Sequence, residues 1–230
     1  MTTAVTLAEV WRGQILESVH QGHAVVCRAS GEIVSAWGDP DRVIYPRSSC
    51  KMLQALALIE SGAASAAGLK SEHLALACAS HVGAAMHTGR VSDWLDTLGL
   101  AEPDLRCGPQ TPADTEARNG LVRAYMEPCQ LHNNCSGKHA GFLTLSQYLG
   151  AGPEYVDLDH PVQKSVKQII EEVTGQASPG HGIDGCSAPN FATTVHGLAR
   201  AMAFFAAAPQ AGDSRSRAAE HCKARPPSNL

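Results

Sequence analysis

Ser48 and Lys51 stand three residues apart in the run Tyr45-Pro46-Arg47-Ser48-Ser49-Cys50-Lys51-Met52-Leu53-Gln54. A serine hydroxyl is a weak nucleophile until a base takes its proton, and a desolvated lysine can be that base. Met52, Leu53, Leu56, Leu58 and Ile59 follow at helical spacing, which predicts a helix over about residues 49–60 with Ser48 as its N-cap. Residues three apart share a helix face. Ser48 and Lys51 are therefore expected to meet at a helix N-terminus, where free backbone N–H groups could hold an oxyanion. Taken alone, the stretch reads as an N-cap serine beside a solvated lysine; the rest of the chain changes that reading.

Two polar loops carry further chemistry. The loop at 133–139 offers Cys135 and Lys138 one helical turn apart, with His139 beside them, and the glycine-rich loop at 181–190 offers His181, Asp184 and Cys186. Thiolates and nitrogen donors from two loops could hold a zinc ion. The alternative is that these cysteines are small buried residues, and a lysine ligand must first lose its proton. Ser80-His81, flanked by Gly83, could place a second hydroxyl in a site, or could simply end a helix with His81 satisfying a carbonyl.

The elements that must position these residues are legible in outline. Residues 5–45 hold short β-prone runs at 10–12, 15–20, 24–28 and 33–37, with turn signals at Ser30-Gly31 and Gly38-Asp39-Pro40, and predict an antiparallel meander or hairpin sheet. Helices are expected from Ser71 to about 79, over 87–98 with Gly99 closing it, over 114–125, from Phe142 onward, over 161–174 and over 195–205.

The chain has 230 residues, 44% hydrophobic and 17% charged, which fits a globular protein. Its net charge of −4 gives no support for a nucleic-acid partner. No apolar run is long enough to cross a membrane. Glu9, Arg12 and Glu17 make the first twenty residues unlike an export signal, so the expected compartment is cytoplasmic. The eight cysteines include no Cys-x-x-Cys pair and are expected as thiols or metal ligands rather than disulfides. After Phe205 the apolar periodicity fades, and Arg215, Arg217, Lys223 and Arg225 outnumber Asp213 and Glu220. The division expected is a domain over 1–205 and an atypical, disordered tail over 206–230.

Pro46-Arg47-Ser48-Ser49-Cys50-Lys51, Cys78-Ala79-Ser80-His81, the run from Leu131 to Gly141, Asp159-His160-Pro161-Val162-Gln163 and Gly182-Ile183-Asp184-Gly185-Cys186 occur in that order. Together they resemble the asparaginase II family, the rhizobial (Rhizobium etli-type) L-asparaginases, from about Val5 to Phe205. The resemblance implies a mixed α and β fold (α+β) like that of serine β-lactamases and penicillin-binding proteins, whose Ser-x-x-Lys spacing this chain shares. It implies hydrolysis of L-asparagine to aspartate and ammonia, with Ser48 as nucleophile and Lys51 as base. Ser80 matches a second serine, which in the family pairs with a lysine from a C-terminal part that has no counterpart in this tail. Cys135, Lys138 and Cys186 match a zinc site near the substrate, where the metal assists substrate binding. Arg47, His81, Asn133, Asn134 and Asp184 are the expected substrate-binding residues.

Family members are longer, and the foreign-looking tail suggests a truncated or frame-shifted product with an incomplete sheet. The commitment is an L-asparaginase-type amidohydrolase acting on a small molecule, with no nucleic-acid or membrane partner and a homodimer as the expected assembly. Two alternatives stand beside it. One is an inactive truncated fragment that at most binds metal or a partner. The other is a β-lactamase-like acyl-transfer hydrolase, against which no Lys-Thr-Gly is found downstream.

Overall fold

Strands and helices fall in separate parts of the chain. A computed structural model describes residues 3–211 and 214–223. The N-terminal part holds β1 (Val5–Arg12), β2 (Ile15–Gly22), β3 (Ala24–Cys27), β4 (Ile33–Trp37) and β5 (Val43–Ile44). Helices follow: α1 (Lys51–Glu60), α2 (Ala63–Ala66), α3 (Ser71–Cys78), α4 (Ala85–Thr97), α5 (Thr115–Arg123), α6 (Ser136–Tyr148) and α7 (Pro161–Thr174). Then come β6 (His181–Ile183), β7 (Pro189–Phe191), β8 (Thr193–Thr194), α8 (Val195–Ala211) and α9 (Ser214–Lys223). The result is a mixed helical and antiparallel architecture.

Of the expected meander or hairpin sheet, the antiparallel hairpins form but do not join into one sheet. Among the described residues the strands pair as separate two-stranded antiparallel ribbons, β1–β2, β3–β4, β5–β8 and β6–β7. Both faces of the β1–β2 ribbon are open, and Trp11 and Ile15 are 56% and 73% exposed. The β5–β8 pair, Val43 opposite Thr194 and Ile44 opposite Thr193, ties the segment just before Ser48 to the start of α8.

The helices pack around α1. Leu53, Leu56 and Leu58 are buried there, each worth roughly 1.5–3 kcal/mol of transfer from water. They meet α3, α6, α7 and α9. On α7 the stripe Val162, Val166, Ile169, Ile170 and Val173 faces inward as its spacing predicts, with the His160 ring capping Val162 N–H at 3.2 Å. On α3 the N-cap is the residue before Ser71. Lys70 holds the N-cap position and the His73 ring accepts its N–H at 2.9 Å, so Ser71 is the first helical residue.

Two boundaries are corrected. The polar run before Phe142 is not all loop, because α6 begins at Ser136 and buries Ser136, Lys138 and His139 in its first turn. Gly137 makes this possible: a Cβ there would lie 2.7 Å from Leu76 Cβ and from the Leu76 carbonyl oxygen, so the two backbones touch. The disordered tail expected over 206–230 is also wrong where the chain is described. Residue 205 ends nothing, since α8 continues to Ala211, and α9 packs on α1 and α3. Its buried face is Ser216, Ala218 and Ala219, and Arg215 pairs with Glu60 and with Glu172 at 2.8 and 2.6 Å. Small residues carry little hydropathy, so this face leaves no apolar stripe in the sequence, although alanine is the best helix former. The rest of that expectation, residues 212–213 and 224–230, lies outside the described residues. Among those described, the tail adds no strand.

Candidate active site

Ser48 lies in a 3-10 turn, Arg47–Cys50, that leads directly into α1. The helix is capped at Cys50, without a side-chain cap, so Ser48 is not its N-cap. Arg47 sits at φ 53, in the left-handed region that costs a residue with a Cβ energy and tends to persist where a site requires it. Ser48 is exposed, while Lys51 turns inward and is 2% exposed. The Lys51 backbone N–H donates to the Ser48 carbonyl, but among the described residues no side-chain hydrogen bond joins the two. The Lys51 amine instead lies 2.8 Å from Ser80 Oγ, 3.1 Å from the Ala79 carbonyl and 3.5 Å from the Asn134 carbonyl. Burial, ahead of the nearby Lys138 charge, lowers its pKa from the usual lysine value.

Ser48 opens onto a polar cavity of about 320 Å³, lined also by Arg47, Asn133, Asn134, Asp184 and the two cysteines Cys135 and Cys186. Arg47 pairs through Nε with the Asp184 carboxylate. Asn190 holds this pair in place: its amide donates to Asp184 Oδ2 at 2.9 Å and its oxygen accepts Arg47 N–H at 3.4 Å. The Asn133 amide is fully occupied within the fold. It donates to the Cys107 and Gly108 carbonyls and accepts Cys135 N–H at 2.9 Å, so it shapes the cavity rather than offering a free polar group.

Ser80 and His81 line a different cavity. The Gly83 N–H donates to His81 Nδ1 at 3.1 Å, which leaves the proton on Nε2, 2.9 Å from Ser136 Oγ. With both nitrogens committed and the ring buried, first by desolvation and then by its cationic neighbours, its pKa falls to about 4. The ring of His81 is thus held neutral against Ser136, and its backbone N–H donates at 3.2 Å to the carbonyl of Asn134, which joins the Ser80 segment to the wall of the Ser48 cavity.

Behind Ser48, Cys135, Lys138 and Cys186 come together. Lys138 Nζ donates to Cys186 Sγ at 3.1 Å. The Cys186 thiol is held far below the usual range by the Cys135 S–H, with His139 and the Lys138 charge adding to it. The hydrogen bond with Cys186, and then burial, push the Cys135 thiol up, and its S–H also lies 3.1 Å from Asn134 Oδ1. Tyr155 accepts Arg106 N–H at 2.7 Å and donates to His139 Nδ1 at 2.9 Å, so the His139 proton sits on Nε2. That nitrogen is buried with no hydrogen-bond partner of good geometry, and it faces Cys186. A buried amine and two sulfurs in contact suit a soft divalent ion. Among the described residues no cluster of three or more His, Cys, Asp and Glu side chains could hold one, so any metal here needs the lysine.

The sequence model of the L-asparaginase II family matches residues 8–226. The chain belongs to that family. No curated protein matches it. The family match runs past residue 205, across the described part of α9, so the tail is not foreign to the L-asparaginase II pattern. Among the described residues no helix is long and apolar enough to cross a membrane. An L-asparaginase II chain acts as an amidohydrolase on a small substrate, and a small polar cavity beside an exposed serine suits that. Asn190, Gln110, whose side chain accepts Asn134 N–H at 3.1 Å, and Tyr155 were not singled out from the sequence. Each acts by holding another residue, and only the position of Asn190 in the second glycine-rich loop hinted at a role.

Proposed function

We propose that the chain hydrolyses the side-chain amide of L-asparagine, giving L-aspartate and ammonia, in the cavity at Ser48. The observation that carries this reading is an exposed serine on a small polar cavity whose wall holds a linked cation and carboxylate, Arg47 and Asp184. These two suit the α-carboxylate and α-ammonium of a free amino acid, and the amide nitrogen of Asn134, without a partner among the described residues, suits the substrate's side-chain end. Ser48 Oγ attacks the amide carbon, ammonia leaves with a proton, and water releases aspartate from the acyl-serine. Lys51 is the base. Its resting amine bonds Ser80, so the Ser48 proton reaches it through a rotation of the lysine side chain or through the Ser80 hydroxyl.

Cys135, Cys186 and Lys138 would hold the zinc ion that the family resemblance implies, and its charge would supply electrostatic help to substrate binding. Neighbouring groups hold the Cys186 thiol well below the usual range, which favours that role, and His139 would steady its sulfur. A reducing, cytoplasmic setting belongs to the proposal, because it keeps both sulfurs available. The scaffold we infer is the serine β-lactamase-like one, with the Ser-x-x-Lys helix at the centre of the helical part. Quenching the protein during turnover of L-asparagine and mapping peptides by mass spectrometry tests the chemistry. An aspartyl ester on the Ser48 peptide is expected; an ester carried elsewhere overturns the assignment of the nucleophile.

A further inference from the structure

Cys78 and Cys222 lie far apart in the chain and meet in the fold. Cys78 is the last residue of α3, and Cys222 stands one residue before the end of α9. The two helices pack on one another. The thiols share a hydrogen bond, which together with burial pushes the Cys222 thiol up, and Cys222 Sγ also lies 3.9 Å from the Met52 carbonyl on α1. Both cysteines are partly exposed rather than sealed in the core, so a small reagent reaches them from solvent. Neither has a part in the chemistry at Ser48 or belongs to the group around Cys135 and Cys186.

The place of the pair on α9 gives it a purpose. Ser216, Ala218 and Ala219 make the buried face of this helix, and small side chains remove little apolar surface from water. The N-terminal end of α9 is fastened by Arg215 to Glu60 of α1 and to Glu172 of α7. Cys222 stands at the other end, where a bond to α3 would fasten the helix a second time. A cross-link between residues so distant in sequence excludes the states in which α9 has left α3. In a reducing compartment such a bond is transient and serves redox sensing.

We propose that Cys78 and Cys222 form a reversible thiol–disulfide pair that is oxidised by small disulfides such as oxidised glutathione and latches α9 onto α3. The proton of the pair stays with Cys222, so the Cys78 sulfur attacks first. Cys78 loses its proton and bonds to one sulfur of the small disulfide; the sulfur–sulfur bond breaks, and the departing thiolate takes up a proton. Cys222 then loses its proton and bonds to the Cys78 sulfur, and the second small thiolate leaves and is protonated. The sum is two protein thiols and one small disulfide giving one protein disulfide and two small thiols. This inference does not rest on asparagine hydrolysis.

The test equilibrates the full chain with mixtures of oxidised and reduced glutathione, blocks the remaining thiols with iodoacetamide and maps peptides by mass spectrometry without reduction. A linked Cys78–Cys222 peptide pair is expected, two hydrogen atoms lighter than the separate peptides, rising with the share of oxidised glutathione and removed by dithiothreitol. Cys222→Ser should trap glutathione on Cys78 as a mixed disulfide. Trypsin cleavage after Arg217, which needs α9 to open, should be at least about tenfold slower in the oxidised parent than in the reduced parent, and oxidation should not slow it in Cys222→Ser. If Cys222→Ser does not fold by circular dichroism, the peptide map and the cleavage rates of the parent decide. Disulfides that join other cysteines, such as Cys135 and Cys186, with none between Cys78 and Cys222, or two thiols that stay reduced at the highest share of oxidised glutathione, or cleavage unchanged by oxidation of the parent, overturn the proposal.

Discussion

His81 and His139 are buried rings held neutral by their surroundings, and each pKa is lowered from the ordinary 6.5 to about 4, chiefly by desolvation. Because the folded value lies below the unfolded one, the unfolded chain binds more protons in this window. Stability is therefore intact above pH 6.5 and falls as pH drops toward 4. By about pH 5, above the range where most carboxylates titrate, each histidine should cost on the order of 2 kcal/mol. Urea midpoints measured between pH 7 and pH 5 should fall accordingly, and less steeply in His81→Asn; a flat profile in the native chain would contradict this picture of the two rings. At this scale residue type and spacing could only mark Ser48, Lys51, Cys135, Lys138 and Cys186 as candidates, and the family resemblance gave them roles. Which serine Lys51 touches was not legible, because that depends on α3 crossing α1, a contact between residues 29 apart in the chain.

At the scale of elements, Gly137 is the point on which the site depends. It lets the first turn of α6, with Lys138 and His139, lie directly on the α3 backbone at Leu76, one turn before Ser80. A methyl group added there meets the Leu76 backbone, which cannot move aside as a side-chain tip would. Gly137→Ala should destabilise the fold by about 1–3 kcal/mol, the usual cost of overpacking, read as a lower urea midpoint with an unchanged slope. A midpoint equal to the parent's would mean that α3 and α6 separate freely. The long amphipathic helices, α7 above all, were legible because hydrophobicity repeats at the helical period. The start of α6 was not, since polar residues buried by hydrogen bonds look like loop. Nor was α9, whose inner face is Ser216, Ala218 and Ala219.

For the whole molecule, the N-terminal ribbons are the exposed liability. β1–β2 pairs with no other strand among the described residues, and it shows Trp11, Ile15 and Leu16 to solvent. Open edges and apolar faces promote association. Sedimentation velocity of the 230-residue chain should show oligomers that grow with concentration, and Trp11→Glu should shift them toward monomer; a single monomeric species at all concentrations would contradict this. The alternation of short strands and turns made these ribbons readable. Their failure to join one sheet was not, because register between distant strands leaves no local pattern. The central claim is amide hydrolysis at Ser48, and turnover tests it most directly. Ammonia and aspartate are measured together from L-asparagine, with the parent chain and Ser48→Ala side by side and both shown folded by circular dichroism. The account predicts equal amounts of both products from the parent and loss of both in Ser48→Ala. Turnover by Ser48→Ala at the parent's rate, or a folded parent chain that releases neither product, would contradict it.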